Sequence, residues 1–307
     1  MDSIIELITQ EITSLDDFLY ASNKVKEYIE ENKVRIINST SSNYSSYIIP
    51  IVRMGENEIK VRPLNNKLFI WDNKVLLEKY DELCALFKTI NQTGRVTEDI
   101  KLEYKGFLST NCINKVLYTL QRGVGCGLDI FTSSNRARKN VGLRFEDLIE
   151  QVFFSLNVTN IRERRLNVEV EVEGEIITYR SGADFVISNM DAEEIIRTSI
   201  KTTSKDRMSP IFLSKYYAEK TSAEAMNFIA VFLNDVQRKG SDGISNTFVS
   251  NRFIIDWTLL TPLDGVYYID PPEHINRQPW KTRISTFDKL IIEDLWAFGL
   301  SVNPILI

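Results

Sequence analysis

Two short apolar runs in the second half of the chain, ADFVISN (183–189) and EEIIRTSIKTT (193–203), constrain the fold more than any other feature. Both are rich in apolar and β-branched residues over strand-like lengths, so they read as strands. The helix-period segment LRFEDLIEQVFFSL (143–156) precedes them. Between lies LNVEVEVEGEIITYR (166–180), whose alternation around Gly174 predicts a half-exposed β-hairpin. After them, SPIFLSKYYAEKTSAEAMNFIAVFLNDV (209–236) reads as helical, and NTFVSNRFIIDWTLLTPLDGVYYIDPP (246–272) as two further strands. Upstream, TNCINKVLYTLQRGVG (110–125) predicts a helix ended by a glycine, and GLDIFTSSNRARKNVG (127–142) a long basic loop. Helices and strands in this order predict an α/β fold, a mixed β-sheet flanked by helices.

The first hundred residues follow a different plan. Residues 1–35 carry helical spacing, 38–46 a polar break, 47–72 short strands and 75–90 an amphipathic helix. The polar stretch NQTGRVTED (91–99) is the expected boundary between an N-terminal α+β accessory region (1–100) and a second domain (101–307).

Composition removes several chemistries. The one histidine, His274, sits in a loop-like segment, and no His/Cys cluster has zinc spacing. Cys84, Cys112 and Cys126 are scattered and odd in number, which suits a reducing, cytoplasmic setting and not a disulfide framework. No apolar run is long enough to span a bilayer, so no membrane partner is expected. What remains is carboxylate and lysine chemistry, suited to hard cations such as magnesium. The net charge of −5 hides basic clusters at 133–140, 161–165 and 201–207. A local field, not the average, governs attraction to phosphate.

In a strand Ser199 and Lys201 share a face. If their strand neighbours the one opened by Asp184, the three side chains converge. Glu146 supplies a second carboxylate, and Glu150 lies one helical turn on. A carboxylate pair can hold a divalent cation, and a lysine beside it can orient an attacking water or stabilise charge on phosphate. Singly, each feature is commonplace: a helix-start acid, a turn aspartate, an edge lysine.

Together, Glu146, Asp184 and Ser199-Ile-Lys201 resemble the PD-(D/E)XK nuclease core of most type II restriction endonucleases. The resemblance covers about residues 120–220. It implies a restriction-endonuclease-like sheet, a Mg2+ cofactor and hydrolysis of double-stranded DNA, with Asp184, Lys201, Glu146, Ser199 and Glu219 as site residues. Ser199 stands at the acidic motif position, as in a subset cutting CCGG- and CCNGG-type sites. In that subset a glutamate about a dozen residues after the lysine replaces the lost acid. Here that position is Ser214, and Glu219 or Glu224 is the nearest substitute, with Glu219 preferred. Asp184, Glu146 and Glu219 are the implied metal ligands. Lys205-Asp206-Arg207 is similar to the triplet with which the subset reads G·C pairs, chemistry that suits guanine O6/N7 and cytosine N4. Arg136, Arg138 and Lys139 are expected to contact phosphates. The resemblance also implies a homodimer on palindromic DNA and a cognate methyltransferase in the same restriction-modification system. The rival readings are a structure-directed repair or recombination nuclease and a DNA-binding protein whose nuclease core has decayed.

Overall fold

The structure, a computed structural model, describes residues 2–39, 41, 44–162, 165–188, 193–221, 226–240 and 243–302. Glu224 and the side chain of His274 lie outside the described set.

The N-terminal hundred residues begin with α1 (Asp2–Thr9) and α2 (Leu15–Asn32), the second capped by Ser14, whose hydroxyl accepts from Asp17 N. A small antiparallel sheet follows: β1 (Lys33–Asn38), β2 (Tyr47–Met54), β3 (Asn57–Lys60) and β4 (Leu64–Asn65), with β2 pairing all three others. Helix α3 (Asn73–Thr93) starts at an Asp72 cap and stops at Gly94, whose φ of 74° is a left-handed turn. Short helices α4 (Glu98–Glu103) and α5 (Lys105–Ser109) lead into α6 (Cys112–Phe131) and α7 (Ser134–Ser155).

Here the structure corrects two expectations. Helix α6 does not end at its glycines, and the basic stretch is not a long loop. The chain breaks only at Thr132–Ser133, so Arg136, Arg138 and Lys139 form an exposed part of α7's first turns. The glycines serve packing instead. A Cβ on Gly123 would fall 2.1 Å from Ser22 Oγ and 2.8 Å from Ser22 Cα, and one on Gly127 2.7 Å from Val25 Cγ2. They let α6 press against α2. Gly123→Val should therefore destabilise by about 3 kcal/mol and lower the melting midpoint by roughly 5–10 °C. A variant melting with the parent would show that the helices part at no cost.

The second half holds β5 (Asn160–Arg162), β6 (Arg165–Val172), β7 (Glu175–Gly182), β8 (Phe185–Ser188) and β9 (Glu194–Lys201). Then come α8 (Met208–Thr221), β10 (Asn227–Phe232), β11 (Val236–Lys239), β12 (Gly243–Asn246), α9 (Ser250–Leu259), β13 (Gly265–Tyr268) and β14 (Ser285–Thr286). Six strands form one mixed sheet, in the order β14-β13-β10-β9-β8-β5. Strands β9, β10, β13 and β14 run parallel, while β8 and β5 are antiparallel additions.

Two sequence expectations fail in this half. The helix expected across 209–236 gives way at NFIAVF to the inner strand β10, buried on both faces as inner parallel strands are. Where a strand is expected at RFIIDWTL, the chain forms α9. Both are apolar runs that periodicity alone cannot assign. The expected hairpin is present as β6–β7, turning at Gly174 (φ 85°) and standing apart from the main sheet.

The sheet separates two cores. On one face Ile196, Ile200, Ile229 and Val231 pack with α7, α6, α2 and α3 in a cluster that runs from Ile8 to Val302 without a break at residue 100. On the other, Phe228, Ala230, Phe232 and Tyr268 pack against α8 and α9. No described helix is long and apolar enough to cross a membrane, and the three cysteines are free.

Candidate active site

The site lies where β9 outruns β8. Asp184 precedes β8 and closes the ladder, its N–H donating to Thr198 O at 3.1 Å. Beyond that rung β9 continues through Ile200 and Lys201, and the Asp184 carboxylate takes the place of the missing strand. Its Oδ2 accepts from Ile200 N at 2.6 Å and from Lys201 Nζ at 2.5 Å. Helix α7 brings the third group. Phe153 of this helix sits edge-on to Phe185 of β8, ring centroids 6.3 Å apart, which fixes the helix on the strand. Glu146, two helical turns earlier, then reaches 3.8 Å from Lys201 Nζ.

Among the described residues, Asp184 and Glu146 are the carboxylates that pair with Lys201. All three side chains are 18–27% exposed, enough for solvent to reach. Burial, and next the Asp184 charge, pushes the Glu146 carboxyl up to about 7. Two acidic groups forced together in a half-buried corner suit a bound divalent cation, which would favour the ionised form of both. The donor set, hard oxygens beside a lysine, therefore fits magnesium.

The other expected residues lie elsewhere. Ser199 lines a small hollow with Gly182, Ala183 and Ser214, so the serine at the motif's acidic position faces the serine at the relocated one. Glu219 projects from α8 and pairs with Lys215 at 3.7 Å; Lys215 itself bonds Asp264 at 2.8 Å. Lys205, Asp206 and Arg207 form an exposed 3-10 turn between β9 and α8. Lys139 and Glu146 are seven residues apart on α7, nearly one face and about 10 Å along its axis.

Two residues escaped the sequence reading. Arg162, counted there with a basic cluster, is turned inward. Its guanidinium meets Asp147 at 2.9 Å and Glu150 at 3.2 Å, with Glu146 and Glu11 at 3.8 Å. Glu11, Asp147 and Glu150 could geometrically gather round a metal. Arg162, with Arg144 2.9 Å from Asp147, already supplies their countercharge, so this is an ion-pair network and not a cation site.

The other is Asp235, which is 1% exposed. Its carboxylate accepts from Ser204 N (2.8 Å) and Oγ (2.7 Å), Thr203 Oγ1 (2.9 Å), Thr247 Oγ1 (2.9 Å) and Tyr268 Oη (2.7 Å). It thereby ties the start of the 205–207 turn to the end of β12 and to the sheet. An aspartate directly after a buried apolar strand was the available signal.

No family model matches the chain, and no curated protein matches it by sequence. Solved structures do. The crystal structure of the type IIP restriction endonuclease Kpn2I aligns over 97% of this chain and 98% of its own, at 17% identity and a TM-score of 0.72. The restriction endonuclease PspGI–substrate DNA complex aligns over 74% and 92%, at 14% identity and a TM-score of 0.38. On the Kpn2I alignment, end to end in both chains, this protein has the restriction-endonuclease fold.

Proposed function

We propose that the chain is a type II restriction endonuclease: it hydrolyses phosphodiester bonds of double-stranded DNA at a palindromic, G·C-containing site of CCGG or CCNGG type. The observation that carries this reading is the meeting of Asp184, Glu146 and Lys201 at one sheet edge, four residues before the exposed Lys205-Asp206-Arg207 turn. Similarity to the fold of Kpn2I, a type IIP restriction endonuclease, supports it.

Asp184 and Glu146 would hold Mg2+; Glu219, paired with Lys215 on α8, does not join them in this structure. A bound ion would lower the pKa of a water and polarise the scissile phosphate. Lys201 Nζ would orient an attacking water or donate to the phosphate oxygen on which charge develops. Ser199 fills the motif position without touching the reacting atoms. Lys205 and Arg207 donate to guanine O6 and N7, and Asp206 accepts from cytosine N4. Arg136, Arg138 and Lys139 contact phosphates, giving affinity without sequence information. A homodimer would place one site on each strand of a palindrome. Residues 1–100 would serve dimerisation or DNA contact, and a separate methyltransferase would protect host DNA.

The test is incubation of purified protein with phage or plasmid DNA, with and without magnesium, read on a gel. Discrete magnesium-dependent fragments are expected. A smear or nicks would point to a structure-directed repair or recombination nuclease. DNA left intact in every divalent cation would favour a non-catalytic DNA-binding protein, with Ser199 the reason.

A further inference from the structure

Two adjoining hollows flank Lys205. One, of about 360 Å³, lies between the 205–207 turn and α9. The other, of about 390 Å³, is lined by Gln237, Asn246, Ser250 and Asn251 together with Lys205. Asn246 is held in place: its Oδ1 accepts from Phe248 N at 2.8 Å, which leaves its Nδ2 donors without a protein partner among the described residues. Gln237 and Asn251 are exposed, with no described protein hydrogen bond on either side chain. Through Thr247 and Ser204, Asp235 clamps this segment to the 205–207 turn, so the two surfaces share one frame.

Lys205 and the first turn of α9 also border the second hollow, and groups of both kinds can contact phosphate. What favours a base edge is the set of three amides, which both donate and accept, whereas phosphate offers only acceptors. Adenine is the base whose major-groove edge offers one donor, N6, beside one acceptor, N7, in the spacing an amide matches. Arg207 lines neither hollow, so Lys205 is the end of the triplet on the amide side.

We propose that the amide-lined hollow formed by Gln237, Asn246 and Asn251 is a second reading element, which selects an A·T pair next to the G·C pair contacted by Lys205. The inference rests on the reading of the chain as a sequence-specific endonuclease.

The experiment is magnesium-dependent cleavage of a duplex library, randomised across the site and its flanks, with the cut products sequenced. The parent should prefer adenine at one position adjoining the G·C core. Asn251→Ala or Gln237→Ala should lower that preference by about 5- to 150-fold, the worth of one bidentate base contact, and leave selection of the core unchanged. Asn251→Asp should shift the same position toward cytosine, because a carboxylate accepts from N4. A purely structural role would not produce that shift. A parent that selects a G·C core with indifferent flanks would overturn this inference alone. Variants that lose activity equally on all sequences would overturn it too, by marking a phosphate contact. A parent that cuts nothing would remove the nuclease reading, and this inference with it.

Discussion

On the proposed activity, Lys201→Ala should lower magnesium-dependent cleavage by about 10²- to 10³-fold or more, while DNA binding measured by gel retention should stay within a few fold of the parent. The asymmetry follows from where the ammonium sits. It bonds Asp184 at 2.5 Å and lies 3.8 Å from Glu146, inside the acidic corner and not on the exposed basic surface. Its loss removes a donor aimed at developing charge, an effect of about that size in other hydrolytic sites. It subtracts little from phosphate attraction, which would rest on Arg136, Arg138 and Lys139. Removing the ammonium also leaves Asp184 and Glu146 facing each other without their countercharge, so the metal-free variant should melt below the parent. Normal cleavage by Lys201→Ala would sink the assignment of the site.

Glu146→Gln has a second large effect, and it separates stability from activity. The Glu146 carboxyl is raised by burial, and then by Asp184, from its ordinary 4.5 to about 7. The folded metal-free protein thus binds a proton more tightly than the unfolded chain. Stability is penalised as pH rises from 4.5 through 7, fully so above 7, and not at all below 4.5. The bare shift corresponds to about 3 kcal/mol, and solvent at this partly open corner reduces it to roughly 1–2 kcal/mol. At pH 8 without metal, Glu146→Gln should therefore melt above the parent, and the gain should fade by pH 4.5. The same variant should cleave at least about 10²-fold more slowly, having lost a metal-holding oxygen. In the parent, activity should fall as pH drops below about 7, and added magnesium should move that limb to lower pH. A pH-independent difference in melting, or full cleavage by the variant, would show that Glu146 does not share the site with Asp184.

The candidate site was legible in part. Spacing places Lys201 on a strand and Glu146 on a helix, but their meeting with Asp184 was implied by the motif resemblance, and Ser199, expected to converge with them, lines a separate hollow. The Val/Glu hairpin was legible from its alternation. What failed was decided by distant contacts. The glycines of α6 resemble a stop signal until Ser22 and Val25 are seen against them. NFIAVF resembles a helix until it is placed between β9 and β13. Arg162 resembles a DNA-facing cation because its partners, Glu11, Asp147 and Glu150, come from other segments. Asp235 gave only an acid just past an apolar run as its signal, since its five donors span residues 203 to 268.

The hairpin β6–β7 also bears on how this protein behaves in concentrated solution. It leaves Val170, Val172, Ile176 and Ile177 about half exposed or more, on strands that among the described residues pair only with each other. Bare strand edges of that composition invite pairing between copies. Glu169, Glu171, Glu173 and Glu175 are interleaved with them, all exposed, and like charges at that density keep such edges apart. With Arg165 and Arg180 at its base, the hairpin carries a net charge of −2 of the chain's −5, and on these edges that charge acts as a colloidal safeguard. An acidic isoelectric point of about 5.3 can then coexist with a local cationic surface such as that of Arg136, Arg138 and Lys139.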